Sequence, residues 1–171
     1  NELMHEILPL EGISVVEIAR LSEEDRAISA SAVRAALDEG KFSEAAPKVN
    51  PTTIPYLLAK LATMALQSEL DSSPKPGLVD TIDAGAHQDM DYNLMCRSIH
   101  ALHPHFVALA QLGYQEKLPT SEEIRRLGLE AEREMLLATD NVNTHKGALF
   151  AMGLVLIAAA HNYYIHGVIQ E

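Results

Sequence analysis

Two short polar segments hold most of the residues in this chain whose types and spacing could do chemistry. The first runs Ser73-Pro74-Lys75-Pro76-Gly77-Leu78-Val79-Asp80 and continues to Gly85-Ala86-His87-Gln88-Asp89-Met90-Asp91. Prolines on both sides of Lys75 fix its backbone outside a helix. A lysine on a rigid loop suits a phosphate. Gly77 and Gly85 permit positive φ or close backbone approach. His87, Asp89 and Asp91 alternate, so an extended segment places all three on one side. Two carboxylates with an imidazole can hold a divalent ion or position a proton, which makes Asp89 and Asp91 candidate metal ligands. A plainer use competes: Asp89 or Asp91 caps the helix that follows, and His87 is an ordinary loop histidine.

The second segment is Asn141-Val142-Asn143-Thr144-His145-Lys146-Gly147, directly before an apolar stretch. A helix N-terminus offers free N–H groups and a partial positive charge, which suits phosphate. Lys146 adds a full charge beside Gly147. Asn143 or Thr144 can instead serve as simple caps. The other histidines are weaker signals. His100, His103 and His105 have the wrong spacing for a His-x-x-x-His zinc pair. His161 and His166 read as surface residues, and Cys96 as packing.

The elements that must position these segments are helical. Ser29 or Ser31 can cap a helix through Ala32–Leu37 that stops at Gly40. A loop with Pro47 and Pro51 follows and marks a boundary at residues 50/51. From Thr52 a helix is predicted to about Glu69, with Ile54, Leu57, Leu58, Leu61 and Leu66 inward. The loop from Asp71 to about Asp89 is long for a compact domain, and such loops are often functional. A second helix is predicted over Tyr92–Leu112, with Leu94, Ile99, Leu102, Phe106 and Leu109 inward and Pro104 as a weak point. A third runs from Ser121 to about Ala138 and a last one from Gly147 to Tyr164. Leu149, Met152, Val155 and Leu156 are expected in the core. Gly12–Ile18 contains a β-branched run that reads as a short strand. The predicted class is all-α, a helical bundle with long functional loops, plus a small N-terminal segment with a short strand and a helix.

Composition narrows the classes. The 171 residues carry 13 Lys plus Arg against 24 Asp plus Glu, a formal net charge of −11. That excludes a general nucleic-acid binder, which needs a basic face. At 47% hydrophobic and 22% charged the chain is too apolar for disorder. A single cysteine excludes a disulfide framework and a Cys-rich zinc site. The longest apolar run, Ala148–Ala160, falls short of the roughly 18 residues of a membrane span, so no membrane role and a buried core helix are expected. A cytoplasmic setting fits. No N-terminal run resembles a signal peptide, and the chain opens on Asn1, so the natural start is expected upstream.

Taken together, the two polar segments resemble the triphosphoribosyl-dephospho-CoA synthase family. Ser73–Asp80, Gly85–Asp91 and Val142–Gly147 carry the likeness in order and spacing, over about Tyr56 to Tyr164. Where the family usually has small residues before Val-Asn-Thr-His-Lys-Gly, this chain has Asp140 and Asn141. Family members are longer, so residues 51–171 read as the N-terminal half of such a helical domain. Residues 1–50 resemble something else, the C-terminal end of citrate lyase ligase, through Ile28-Ser29-Ala30-Ser31-Ala32-Val33-Arg34 and Pro51–Leu57.

The synthase resemblance implies an all-helical enzyme that makes a citrate lyase or malonate decarboxylase prosthetic-group precursor. ATP and 3′-dephospho-CoA would give 2′-(5″-triphosphoribosyl)-3′-dephospho-CoA and adenine. It implies that Lys75, Lys146 and the helix tip at Gly147 hold the triphosphate with Mg²⁺, beside Gly77, Asn143 and Thr144. His87 or Asp89 would take the proton of the attacking hydroxyl. Asp80, Asp91 or His145 would stabilise a cationic sugar or ease the departure of adenine. Two other readings stand beside it: a non-catalytic helical interaction module, as a homodimer or docked on citrate lyase biosynthetic partners, and a fragment of a fused ligase.

Overall fold

The computed structural model describes residues 29–168, together with the backbone of residues 22–23 and 26–27. The expected strand over Gly12–Ile18 lies outside the described residues. The short strands β1 (Ser22–Glu23) and β2 (Arg26–Ala27) pair antiparallel, Ser22 opposite Ala27 and Glu23 opposite Arg26. Every regular element after them is helical: α1 (Ala30–Asp38), α2 (Phe42–Ala45), two 3₁₀ turns, then α3 (Ile54–Asp71), α4 (Tyr92–Gly113), α5 (Ser121–Ala138) and α6 (Lys146–His166). The predicted all-α class holds.

Local chemistry sets the boundaries. Ser29 caps α1, its hydroxyl accepting from Ala32 N at 3.1 Å. Asn50 caps the 3₁₀ turn that leads into α3. Asp91 caps α4 through Leu94 N at 2.8 Å. Thr120 and Glu123 form a reciprocal capping box at the start of α5. Pro104 does not break α4. The helix runs through it, with the proline ring exposed on the outer face.

Helix α4 is the centre of the bundle. Its inward residues Leu94, Ile99, Leu102, Phe106 and Leu109 are all buried, as their spacing predicts. Each such side chain contributes about 1.5–3 kcal/mol by leaving water. Helix α3 runs antiparallel to α4: Tyr92 at the start of α4 meets Asp71 at the end of α3, and Gln111 at its end meets Tyr56. Helix α6 runs parallel to α4, with His145 beside Ser98 and Ile157 against Gly113. A Cβ on Gly113 would stand 2.3 Å from the Ile157 carbonyl oxygen, so only glycine lets the two backbones meet there.

This arrangement gives the bundle two poles. The C-terminal ends of α3 and α5 and the N-terminal ends of α4 and α6 share one pole, so both polar segments lie there. The link between α4 and α5 lies at the other.

The expectation for α6 needs correction. It is apolar all round, but only one face is covered. Leu149, Gly153, Leu156, Ile157 and Ala160 are buried, whereas Phe150 is 72%, Val155 60% and Leu154 42% exposed. Val155 therefore does not belong to the core stripe. Among the described residues, α6 is the one helix long and apolar enough to cross a bilayer, with a mean hydropathy of 1.6, yet its inner face packs on α4.

Candidate functional site

The first polar segment is a loop that folds on itself around one carboxylate. Asp80 is buried, and its two oxygens accept four hydrogen bonds from within the loop. Oδ2 takes the Ser73 hydroxyl at 2.8 Å and Lys75 N at 2.9 Å; Oδ1 takes Ile82 N at 2.7 Å and Asp83 N at 3.1 Å. Backbone donors from Ile82, Lys75 and Asp83 hold this carboxyl far below the usual carboxylate range. Its acceptor capacity is taken up, so Asp80 shapes the loop and has no oxygen to spare for a reacting sugar.

Gly85 completes the loop by crossing over residues 77–78, with Ala86 N donating to Gly77 O at 3.2 Å. Its φ is +58°, and an added Cβ would meet Gly77 C at 2.4 Å and Leu78 N at 2.5 Å. Gly77 also has positive φ, +81°, but faces open space.

The loop aims its lysine back at the bundle. Lys75 Nζ donates to the Glu69 carbonyl at 2.8 Å and pairs with Glu69 Oε1 at 3.0 Å, with the lysine side chain only 14% exposed. His87 and Asp89 stay on the outside, Nδ1 to Oδ1 at 3.9 Å, near enough for attraction but too far for a hydrogen bond. Asp91 caps α4 with Oδ1, the plainer of its two anticipated uses. Among the described residues, no three His, Cys, Asp or Glu side chains come together as a metal-ligand set.

The second segment starts where α5 ends. Thr139 is fully buried, its hydroxyl lying between Met135 O at 2.8 Å and Val142 O at 2.7 Å with one proton to share between them. Asp140 and Asn141 then take φ values of +53° and +66°. Two consecutive left-handed residues explain why glycine suits these positions, and Asp and Asn are among the side chains that tolerate them.

From that turn the chain enters the bundle. His145 is 5% exposed, with Nδ1 2.8 Å from the Ser98 hydroxyl and its backbone N–H directed at Met135 Sδ at 3.4 Å. Thr144 donates to the same Ser98 oxygen at 2.7 Å. Burial pushes the His145 pKa down, and the Glu69 carboxylate partly opposes that. His145 Nε2 is buried with no hydrogen-bond partner among the described residues.

Lys146 turns the other way. Its Nζ pairs with Glu132 of α5 at 2.6 Å, at the rim of a groove of about 420 Å³ between α5 and α6. That groove is lined mainly by Leu109, Ile124, Leu129, Leu149, Phe150 and Leu154; of the two polar segments it takes in Lys146 alone. Asn143 Oδ1 accepts from Lys146 N at a long 3.4 Å, and Gly147 is exposed on the first turn.

The two segments therefore meet at one pole through α3 and α4. Lys75 rests on Glu69, whose charge reaches His145; His145 rests on Ser98, and Arg97 pairs with Asp140 at 3.3 Å. Beside them, Tyr92 donates to Asp71 at 2.6 Å, which pushes the phenol up to about 12 and the Asp71 carboxyl down. Ser98 and Glu69 did not emerge from the sequence reading. A signal for Ser98 existed: it interrupts the apolar stripe of α4 midway between Leu94 and Leu102, and a hydroxyl placed there needs partners. Glu69 sits in an ordinary polar helix end and gave none.

Comparison with known proteins places most of the chain. Residues 55–171 match the family model described as ATP:dephospho-CoA triphosphoribosyl transferase, and residues 1–57 match the citrate lyase ligase C-terminal domain. The chain is similar to the 2-(5″-triphosphoribosyl)-3′-dephosphocoenzyme-A synthase of Haemophilus ducreyi, 46% identical over 110 residues that make up 62% of this chain and 34% of that protein. It is also similar to the synthase of Klebsiella pneumoniae, 47% identical over 60% of this chain and 38% of the other. The probable synthase of Azotobacter vinelandii is 48% identical over 60% and 36%. The chain thus spans little more than a third of the length of these relatives. No solved structure matches it. By the match over residues 55–171, which hold both polar loops and α3–α6, the chain belongs to the ATP:dephospho-CoA triphosphoribosyl transferase family.

Proposed function

We propose that the chain takes part in transfer of the 5-triphosphoribosyl group of ATP to the 2′-hydroxyl of 3′-dephospho-CoA, with release of adenine, in prosthetic-group synthesis for citrate lyase or malonate decarboxylase. Residues 51–171 would be one part of the transferase domain, and residues 1–50 a separate segment akin to the ligase C-terminus. A cytoplasmic setting accompanies this reading. The observation that carries it is the placement of the two polar loops at one pole, with Lys75 paired to Glu69 and the Glu69 charge reaching His145.

The chemistry divides among the residues as follows. The ribosyl carbon bonded to adenine loses that bond, with the electron pair leaving on the base, which takes up a proton from solvent to become neutral adenine, and gains one to the attacking hydroxyl oxygen. The hydroxyl proton goes to His87, which stands 3.9 Å from Asp89. Charge builds up on the sugar as in glycoside hydrolysis, and carboxylates nearby stabilise it. Asp91 is the candidate for this, through the oxygen not used as a cap.

Lys75 and the first N–H groups of α6, at Gly147, bind the polyphosphate, and Lys146 would join them by exchanging Glu132 for a phosphate oxygen, with Asn143 and Thr144 shaping that turn. A net charge of −11 repels a polyanion, so these cations carry the attraction. Mg²⁺ fits the donors present, because it binds through one or two carboxylates and otherwise through phosphates and water. Asp89 would hold it, joined by Asp91 where that residue's one free oxygen is not engaged at the sugar, and it would neutralise phosphate charge. Asp80 acts at one remove, by holding Lys75 and Gly77 in place.

Calorimetric titration of the chain with Mg-ATP tests the reading. Binding is expected, weakened at least tenfold in Lys75→Ala and in Lys146→Ala. Binding indifferent to both changes would place the phosphate elsewhere. In a chain that releases adenine from ATP and 3′-dephospho-CoA, His87→Ala should abolish that release, and unchanged release would remove His87 from the reaction.

One observation favours a second reading. The apolar outer face of α6, with Phe150, Leu154 and Val155 exposed, is what a non-catalytic interaction module would present, as a homodimer or on citrate lyase biosynthetic proteins. That reading predicts no nucleotide binding at all.

A further inference from the structure

The hydrogen bonds around His145 run in one direction. Ser98 is fully buried on the inner face of α4, and its hydroxyl has a single proton to give. Thr63 of α3 hands its proton to Ala59 O one turn back at 2.9 Å, its oxygen also lying 2.9 Å from His103 Nδ1, and Ser72, just past the end of α3, bonds Ser68 O at 2.7 Å. Ser98 makes no such bond among the described residues. Its oxygen accepts from Thr144 at 2.7 Å, and its other neighbour is His145 Nδ1 at 2.8 Å. With Thr144 donating inward, the Ser98 proton has one place to go.

We infer that Ser98, backed by Thr144, is a positioning residue that fixes the His145 ring with its proton on Nε2. Nδ1 is then an acceptor, and Nε2–H is an oriented neutral donor. The placement of that donor matters because Nε2 is buried and without a partner among the described residues, at the pole where Lys75 and Glu69 meet. A buried N–H left unpaired is costly, so a ligand atom that accepts from it gains more than it would in water. A neutral ring donates a hydrogen bond here and keeps its proton. The acceptor class that would fit, once movement of neighbouring groups uncovers Nε2, is a phosphate oxygen or a purine ring nitrogen. Only this last step rests on the proposed transferase reading; the tautomer does not, so the two can fail separately.

Two-bond ¹H–¹⁵N spectra of the histidine rings in the full chain, at a pH where they are neutral, test the assignment. The expected His145 pattern is a pyridine-like Nδ1 and a pyrrole-like Nε2. The reverse pattern overturns the inference. Ser98→Ala should move both nitrogens toward averaged values, and Ser98→Cys should fail to restore them fully, since a thiol is a weak donor. Should Ser98→Ala fail to fold, Thr144→Val removes the upstream donor at nearly constant volume and should raise the Nδ1–H population. An unchanged tautomer in the folded variants overturns the role of Ser98. A merely structural serine would alter stability and leave the ring protonation pattern as it was.

Discussion

The crossing at Gly85 can be tested against its neighbour Gly77, because the two glycines share one strain and differ in another. Both have positive φ, +58° and +81°, so alanine at either carries the left-handed penalty of about 1–2 kcal/mol. At Gly77 the added methyl meets nothing within 4 Å. At Gly85 it meets three backbone atoms of residues 77–78 at 2.4, 2.5 and 2.6 Å. An ordinary contact needs about 3.4 Å or more, so the loop backbone must move by roughly 1 Å. Backbone cannot swing aside as a long side chain can, and overpacking of this kind costs about 1–3 kcal/mol. The difference between the two variants isolates the crossing. Urea unfolding followed by circular dichroism should show Gly85→Ala losing about 1–3 kcal/mol more than Gly77→Ala. Exchange of the Ala86 amide, bonded to Gly77 O, should speed up in Gly85→Ala alone. Equal losses, or an Ala86 amide equally protected in both, would show that the loop does not cross itself.

Other outcomes follow from the same geometry. His145 is held below its ordinary pKa of 6.5 by burial, so the unfolded chain binds more protons. Its contribution to stability is present above that value and lost as pH falls below it. Urea midpoints at pH 8, 6 and 5 should fall in that order, and less steeply in His145→Gln. Asp80 adds a second loss, since a depressed carboxyl stabilises above its ordinary 3.8 and ceases to do so in stronger acid; Asp80→Asn should flatten that limb. Asn141→Val should destabilise by about 1–2 kcal/mol at the left-handed turn, and Asn141→Gly should be neutral or stabilising by thermal melting. Gly113→Ala should destabilise by about 2 kcal/mol or more, because its methyl lands on the backbone of α6 at Ile157; an unchanged melting temperature would mean α4 and α6 do not touch there.

The helices were legible wherever side chains speak locally. The Thr120–Glu123 box marks the start of α5 without help from the rest of the chain, and the spacing of Leu94, Ile99, Leu102, Phe106 and Leu109 names the inner face of α4. What the sequence could not convey was tertiary. Asp80 looks like a catalytic carboxylate until the donors of Ser73, Lys75, Ile82 and Asp83 close on it, and that closure depends on the path of the loop. Val155 has the type and period of a core residue, but α6 is apolar on every side, so periodicity could not tell its covered face from its open one. Lys146 was expected with Lys75, and instead Glu132 on a different helix draws it toward the groove. The meeting of the two loops at one pole follows from helix directions, which helix lengths and loop order leave undetermined until packing fixes them.

The separation of the poles has a practical side. Helix α4 alone has 22 residues, about 33 Å of rise, between the loops and the opposite pole. Chain is added at that far pole: α3 enters there after the 3₁₀ turn at Pro51–Thr53, and Phe42 of α2 packs edge-on against Tyr163 late in α6. The same geometry recommends the exposed Glu116 and Lys117 for a reporter dye or a surface tether, out of reach of whatever the loops bind.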